Sequence, residues 1–96
     1  MTNSISEFDH SDAYFVIGSN MTEAHPIIAL KLKRGARYNG AKLIVFDTRL
    51  SNTATHADHW VAPYPGSEPA IFLAIANHLI QGGLYNRAFV RRWWNW

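Results

Sequence analysis

Short apolar runs separated by longer mixed stretches set the pattern of the first half of the chain. Residues 13–17 are continuously apolar, rich in aromatic and β-branched types, and stop at Gly18. Residues 42–46 repeat this pattern and stop at Asp47. Runs of this length and type are typical of strands buried on both faces, as in a parallel sheet covered by helices.

Between these two strands the spacing predicts one amphipathic helix. Pro26 is tolerated only in the first turn of a helix, and Asn39-Gly40 supplies a C-terminal stop. The predicted apolar stripe consists of Ile27, Ile28, Leu32, Gly35 and Ala36. Leu30 does not fit it cleanly. Two strands joined by one helix make a βαβ unit, which is right-handed in nearly all cases.

The second half predicts a third strand and two more helices. Residues 50–58 are small and polar, a loop or a short helix, and 59–63 have the pattern of a short strand. Residues 70–80 are apolar almost all round, which predicts a helix buried on more than one side, with Ser67 as its N-cap. Gly82-Gly83 ends this helix.

The last segment favours a fragment of a larger protein. Asn86 is predicted to cap a short helix that leads into residues 91–96, where three tryptophans occur within four positions. Exposed, they would form an apolar patch typical of a contact site. We therefore interpret residues 1–96 as a single α/β segment of a larger protein. Its predicted fold is a three-layer arrangement with a short parallel sheet of about three strands and flanking helices.

Composition narrows the possible chemistry. With no cysteine, these residues cannot supply a cysteine-ligated iron–sulfur cluster, a thiolate zinc site or a cysteine nucleophile. The formal charge of +2 is too small for a dedicated nucleic-acid binder. No apolar run approaches the roughly 18 residues that a membrane span needs. Residues 1–12 are polar and acidic, unlike a signal peptide, and nothing predicts a compartment.

Three loops are predicted to meet beyond the carboxyl ends of the strands, where open α/β sheets bind ligands: 18–25, 47–53 and 65–68. Gly18 lets a ligand approach the backbone, and the following helix would offer free N–H groups to an anion. The first loop lacks both G-x-G-x-x-G and G-x-x-x-x-G-K-[ST]. An ordinary strand-to-helix turn explains it about equally well.

The other two loops carry charged candidates. Asp47 ends a strand where an acid commonly binds a ribose hydroxyl, and Arg49 is placed to reach a phosphate or a guanine. Glu68 begins a helix, and its carboxylate could accept both N1–H and N2–H of guanine. The alternatives are local: Asp47 caps a turn, Arg49 is a solvated charge, and Glu68 only caps its helix.

The five histidines do not predict a metal site. His56 and His59 flank Asp58, but neither a fourth ligand nor a helical i, i+4 pair accompanies them. His78 is predicted to be a hydrogen-bonded core residue of the helix over 70–80. His25 faces the predicted ligand edge and either contacts a phosphate or packs in the first turn of its helix.

Taken in order, these segments resemble the molybdopterin-dependent oxidoreductases of the dimethyl sulfoxide reductase superfamily, the formate dehydrogenase catalytic subunits most closely. The similarity covers essentially the whole chain. Its motifs are Met1-Thr2-Asn3-Ser4-Ile5, Gly18-Ser19-Asn20, Glu23-Ala24-His25-Pro26, Gly40-Ala41-Lys42-Leu43-Ile44-Val45, Asp47-Thr48-Arg49, Ala57-Asp58, Pro65-Gly66-Ser67-Glu68 with Ala70, and Gly83-Leu84-Tyr85 with Phe89-Val90.

This resemblance implies a Rossmann-like domain that holds one of two molybdopterin guanine dinucleotides, while the parent enzyme holds the molybdenum or tungsten. Asp47 and Arg49 would hold the ribose and guanosine end, and Glu68 the guanine edge. The cofactor-binding residues it implies are Asn3, Ser4, Gly18, Ser19, Asn20, Glu23, His25, Asp47, Thr48, Arg49, Pro65, Gly66 and Glu68. The implied partners are the remainder of the catalytic subunit or other redox subunits.

The chain also departs from the family pattern. The family usually has Asp-Pro-Arg at Asp47-Thr48-Arg49, and Asp followed by an aliphatic residue at Glu68-Pro69. The family's metal-bound Cys or selenocysteine and its catalytic His and Arg have no counterpart here, so no catalytic residue is predicted. Two other functions stay open: a stand-alone nucleotide-binding or regulatory module, and an interaction module in which residues 91–96 stack on bases or on a partner.

Overall fold

A computed structural model of the chain describes residues 2–95, and within them three parallel strands are flanked by helices. This confirms the predicted α/β class. The strands are β1 (Ala13–Ile17), β2 (Lys42–Phe46) and β3 (His59–Val61), and the α-helices are α1 (Met21–Ala24), α2 (Pro26–Tyr38), α3 (Glu68–Gln81) and α4 (Arg87–Trp93). Two 3-10 helices span Ile5–His10 and Ala54–His56. The chain divides into two compact units, the first ending at Pro63 and the second starting at Tyr64.

The sheet of the first unit has the order β1-β2-β3 and buries one face much more completely than the other. Leu43 and Val45 are fully buried on one face, where Leu32 of α2 packs in the same core. On the other face, Phe15 is 49% and Ile17 47% exposed. The prediction that β1 is buried on both faces is therefore wrong, because α2 covers only one side of it.

Helix α2 begins and ends where the sequence predicts, but its buried stripe is narrower. Ala29, Leu32 and Gly35 are buried, whereas Ile27 is 71% exposed, so its place on the stripe is corrected. Gly35 has no room for a side chain, since an added Cβ would lie 1.9 Å from the Tyr14 hydroxyl oxygen. A close helix–strand contact therefore explains this glycine.

The 3-10 helix over Ile5–His10 was not predicted. Phe8 stacks on Tyr14 with ring centroids 5.9 Å apart, and the Tyr14 hydroxyl donates to the Phe8 carbonyl. Burial raises the pKa of Tyr14. Lys31 Nζ lies 2.7 Å from Asp9 Oδ2, and its hydrogen bond lowers the pKa of Asp9. These contacts fasten the segment to β1 and α2.

Asp58 joins the amino ends of β2 and β3. Its carboxylate accepts a hydrogen bond from the Leu43 N–H at 2.8 Å and lies 3.5 Å from Lys42 Nζ. The backbone bond from Leu43 is the main cause of its lowered pKa, and Lys42 adds to it. The segment between β2 and β3 is thereby fixed at its C-terminal end.

The second unit consists of α3, α4 and their connections, and it departs most from expectation. Neither helix has a buried residue among those described, and Leu73 is 71% exposed. The predicted burial of α3 is therefore wrong, because two helices are too little chain to surround an apolar cylinder.

Of the two N-caps predicted for these helices, one is observed and one is not. The Ser67 side chain makes no cap, since its hydroxyl donates to the Tyr64 carbonyl at 2.6 Å, which corrects its predicted role. Asn86 does cap α4, accepting from the Phe89 N–H at 2.9 Å. None of the helices formed by residues 2–95 is long and apolar enough to cross a membrane.

Candidate functional site

The carboxyl ends of the three strands form one continuous edge. The Gly18 N–H donates to the Phe46 carbonyl at 2.8 Å, and the Asp47 N–H donates to the Val61 carbonyl at 3.2 Å. The loops that begin at Gly18 and at Asp47 therefore leave the sheet side by side. This confirms the predicted position of the first two loops.

The loop after β1 opens with a left-handed glycine. Gly18 has φ 58°, and nothing lies within 4 Å of an added Cβ, so its backbone faces open space. The next three N–H groups, those of Ser19, Asn20 and Met21, donate to no acceptor within residues 2–95. Three unpaired donors after an exposed glycine suit a phosphate or another anion.

Helix α1 follows at once, where the sequence predicts only a polar turn. Its N-terminus is not wholly free, because the Thr22 N–H donates to Thr53 Oγ1 at 3.1 Å. Glu23 and His25 are exposed, His25 at the junction with α2. Neither side chain makes a hydrogen bond in the described chain, so both stay open to solvent and to a ligand.

The loop after β2 is a tight turn built on Asp47. Asp47 Oδ1 accepts from the Arg49 N–H at 3.0 Å, while the Trp60 indole N–H donates to the Asp47 carbonyl at 2.9 Å. Asp47 thus does cap a turn, but Oδ2 has no hydrogen-bond partner among the described residues. The guanidinium of Arg49 is exposed, and Thr48 between them is exposed too.

A threonine that the sequence did not single out connects these two loops. Thr53 is fully buried, and its hydroxyl donates to Asn20 Oδ1 at 3.2 Å. The single hydroxyl proton is then used, so Thr53 Oγ1 accepts from both the N–H and the hydroxyl of Thr22, each at 3.1 Å. No buried polar side-chain atom of residues 2–95 lacks a partner.

The position of Thr53 explains why it was missed. It lies in a run of small polar residues that has no periodicity, directly before the 3-10 helix over Ala54–His56. Ser51 stabilises the same turn by accepting from the Ala54 N–H at 3.2 Å. The one available signal was a threonine next to an alanine in a segment of small polar residues, which is weak by itself.

The third loop belongs to the second unit and is held by its own hydrogen bonds. Glu68 Oε2 accepts from the Gly66 N–H at 2.8 Å, and Gly66 has φ 89° with open space around it. Pro65 is exposed. Glu68 therefore braces its own turn, and its Oε1 has no partner within the described part of the chain.

Asn3 and Ser4 are not brought to the ligand edge by any hydrogen bond. Ser4 instead caps the first 3-10 helix, with Oγ 3.4 Å from the Ser6 nitrogen and 2.8 Å from Ser6 Oγ. Asn3 is exposed. Met1, which belongs to the same motif, lies outside the described residues.

The histidines do not assemble a metal site. Among residues 2–95 there is no group of three or more His, Asp or Glu side chains that could hold an ion. His56 Nδ1 lies 2.9 Å from the Asn52 carbonyl oxygen, within its own turn. His78 is exposed on α3, so its predicted place in a core is wrong.

In the Arg- and Trp-rich segment over 91–96, residues 91–93 form the end of α4. The Arg92 guanidinium lies 5.2 Å from the centroid of the Trp93 ring, an interaction within the helix itself. Trp96, which belongs to the proposed interaction module, lies outside the described residues. That module stays a prediction.

Comparison with known proteins identifies the family. A family model described as molybdopterin oxidoreductase matches residues 1–89. The chain belongs to the molybdopterin oxidoreductase family. It is 41% identical over 91 residues to the F420-dependent formate dehydrogenase 1 subunit alpha of Methanococcus maripaludis, covering 95% of this chain. It is 35% identical over 92 residues, or 96% of the chain, to a putative formate dehydrogenase of Staphylococcus aureus.

These comparisons confirm the resemblance read from the motifs. The chain spans 13% of the length of the first relative and 9% of the second. Membership of the molybdopterin oxidoreductase family implies a molybdopterin cofactor. Both relatives are similar to this chain across almost all of its length.

The carboxyl edge of this molybdopterin oxidoreductase segment fits an anionic cofactor. The N–H groups of residues 19–21 and the guanidinium of Arg49 are donors without an internal acceptor. Asp47 Oδ2 is an acceptor without an internal donor. Donors for phosphate and an acceptor for a hydroxyl thus leave the same edge of the sheet, on loops that Thr53 joins.

Proposed function

We propose that this chain binds the nucleotide end of molybdopterin guanine dinucleotide in a molybdenum or tungsten oxidoreductase that resembles formate dehydrogenase. The observation that carries the proposal is the pair of loops at the carboxyl edge, where unpaired N–H groups and the Asp47–Arg49 turn emerge together. Ligands of open α/β sheets bind at this edge. The role of the chain would be to anchor the nucleotide.

The phosphates would be held by the backbone N–H groups of residues 19–21 and by Arg49. The backbone donors suit phosphate because the loop fixes them before the ligand arrives, and Arg49 would add a charged donor. Asp47 would accept a ribose hydroxyl through Oδ2, the oxygen that its own turn leaves free. Thr53 would keep the two loops at a constant spacing.

Glu68 would take the guanine edge. Its Oε1 is free, and Oε2 already accepts one bond from the Gly66 N–H but has a second lone pair. Gly66, with open space at its Cα, would let a flat base lie against the turn. Pro65 would restrict the turn that carries it.

The remaining implied residues would add weaker contacts. These contacts would come from the side chains of Ser19, Asn20, Glu23, His25 and Thr48 on the two edge loops, and from Asn3 and Ser4 on the N-terminal side. When bound, the cofactor supplies the redox centre, and the protein supplies orientation and electrostatics. The remainder of the catalytic subunit, or other redox subunits, would be the partners of this segment.

Isothermal titration calorimetry with guanosine diphosphate as the probe tests the proposed site. The variant Asp47→Asn keeps an oxygen for the Arg49 N–H but replaces the free acceptor by a donor. We expect it to weaken binding about tenfold, because a hydrogen bond to a charged group contributes about 1.5 kcal/mol. Asp12→Asn, an exposed carboxylate whose side chain has no hydrogen bond, should leave the affinity unchanged.

A second variant tests the base. Glu68→Gln should reduce the preference for guanosine diphosphate over adenosine diphosphate, because the amide offers only one acceptor to N1–H and N2–H. Binding that neither Asp47→Asn nor Glu68→Gln affects would rule out this site. Equal affinity of the unaltered chain for the two nucleotides would rule out the guanine assignment alone.

A further inference from the structure

A groove lies beside the C-terminal half of α2, away from the carboxyl edge of the sheet. It has a volume of about 460 Å³ and opens between the C-terminal half of α2 and the 3-10 turn over Ala54–His56. Helix α2 runs from the carboxyl edge, at Pro26, to the amino edge, at Tyr38. A groove beside its last two turns is therefore separate from the proposed nucleotide site.

The wall formed by α2 is strongly cationic. Lys33, Arg34 and Arg37 line the groove, and no acidic residue occurs anywhere in α2. Asp58 also lines the groove, but its carboxylate is already engaged by the Leu43 N–H and by Lys42. Lys33 Nζ makes a single bond to the neutral Asn52 side chain, at 3.3 Å. Among the described residues none of these three cations forms a salt bridge, although Asp9 interacts electrostatically with Arg34.

Apolar surface accompanies the charge. Leu30 and Tyr38, which also line the groove, are 55% and 72% exposed. The Arg37 guanidinium lies over the Tyr38 ring, 5.7 Å from its centroid, and so covers part of one face of a side chain that is otherwise exposed. Positions 30, 33, 34 and 37 recur along one side of the helix, over roughly 10 Å at 1.5 Å per residue.

This row of cations with exposed apolar residues favours one kind of anionic ligand over another. A small ion such as phosphate is bound best where donors converge on one point, and it cannot use exposed Leu30 or Tyr38. A polypeptide with carboxylates along one side and an aliphatic residue between them matches both the row of cations and the apolar positions. The length of the row, roughly two helical turns, also suits a peptide.

We propose that this groove docks an acidic, amphipathic segment of a partner protein. Lys33, Arg34 and Arg37 pair with its carboxylates, and Leu30 and Tyr38 contact its apolar residue. The proposal does not depend on the cofactor, because it rests on α2 and on the turn at His56 rather than on the carboxyl edge.

Fluorescence anisotropy with the 96-residue chain tests it. The probe is a labelled peptide of about twelve residues, long enough to cover the row, built from repeats of Glu-Glu-Leu. We expect saturable binding that weakens as salt is added. The double variant Arg34→Ala/Arg37→Ala should bind about tenfold more weakly, since each exposed ion pair contributes a few-fold. Arg91→Ala/Arg92→Ala removes the same charge from α4 and should leave the affinity unchanged.

A further variant and competition experiments distinguish a peptide ligand from a small anion or a nucleic acid. Leu30→Ser should weaken peptide binding about threefold, because it removes an apolar contact without changing the charge. Competition by inorganic phosphate at equal concentration, with no effect of Leu30→Ser, would show a small-anion site and overturn the proposal. Tighter binding of a single-stranded oligonucleotide would overturn it as well. So would a larger loss from the α4 variant than from the α2 variant.

Discussion

Both units of the chain are rich in apolar residues, but they bury them to different extents. In the described residues, every buried hydrophobic side chain lies between Tyr14 and Ala54, within the first unit. In the second unit, Leu73 and Leu84 are 71% and 62% exposed, and neither α3 nor α4 buries a residue. The difference arises because a parallel sheet offers a continuous surface on which α2 packs, whereas two helices alone do not.

This contrast divides the proposed nucleotide site. Asp47 and Arg49 follow β2, whose Val45 is buried in the core, and Thr53 joins their loop to α1. Glu68 stands at the start of α3 and is held by one bond to Gly66. Sites on packed elements hold their geometry better than sites on loosely packed ones. The ribose and phosphate contacts should therefore be better defined than the guanine contact.

The largest expected effect compares one leucine from each unit. Leu43→Ala removes a side chain that is 0% exposed, and it should cost about 3 kcal/mol of unfolding free energy through lost burial and the cavity left behind. Leu73→Ala, at 71% exposure, should change stability by less than about 0.5 kcal/mol. Denaturant unfolding followed by circular dichroism measures both. Equal costs would mean that α3 is as well packed as β2.

The next effect isolates the junction of the two edge loops. Thr53→Val preserves shape but removes the acceptor of the Thr22 N–H and the donor to Asn20, and should cost about 2 kcal/mol. Thr55→Val is the matched control, because Thr55 is exposed and bonds only within its own turn. The same denaturant titration serves. A Thr53→Val variant as stable as Thr55→Val would show that the junction contributes nothing.

The smallest expected effect is on the loss of folding stability in acid. The folded state lowers the pKa of Asp58 below its ordinary value of 3.8, chiefly through the Leu43 N–H. A carboxyl with a lowered pKa stabilises the fold above its ordinary pKa, and that contribution is lost as the pH falls from 3.8 toward the folded value. Asp58→Asn should therefore flatten the loss of stability in this range.

Thermal unfolding at a series of acidic pH values measures this dependence. Asp9, whose pKa is lowered by Lys31, keeps some acid sensitivity in the variant. Asp12→Asn is the control, and it should leave the curve unchanged. Identical curves for the unaltered chain and Asp58→Asn would contradict the assigned role of this carboxylate.

The contrast between the units also shows which features could be predicted from the sequence and which could not. Apolar runs, Pro26 and Asn39-Gly40 locate β1, α2 and β2 because local periodicity and backbone constraints decide these elements. Burial could not be predicted in the same way, because it depends on which elements cover a face. Hence Phe15 and α3 are more exposed than their sequences indicate.

The candidate site likewise has residues that could be predicted from the sequence and residues that could not. Gly18 and Asp47 were predictable, since each directly follows a strand whose end defines the edge. Thr53 was not, because its role comes from three hydrogen bonds to residues more than thirty positions away. The double use of Asp47, with one oxygen in its turn and the other free, likewise depends on geometry that the sequence does not contain.

Amide NMR of the isotope-labelled chain, titrated with guanosine diphosphate, shows directly whether the carboxyl edge of the sheet binds the cofactor nucleotide. We expect the largest shifts at the N–H groups of Ser19, Asn20 and Met21, smaller ones at Arg49, and none in α4. Shifts confined to α4, or to the groove beside Arg34, would contradict it.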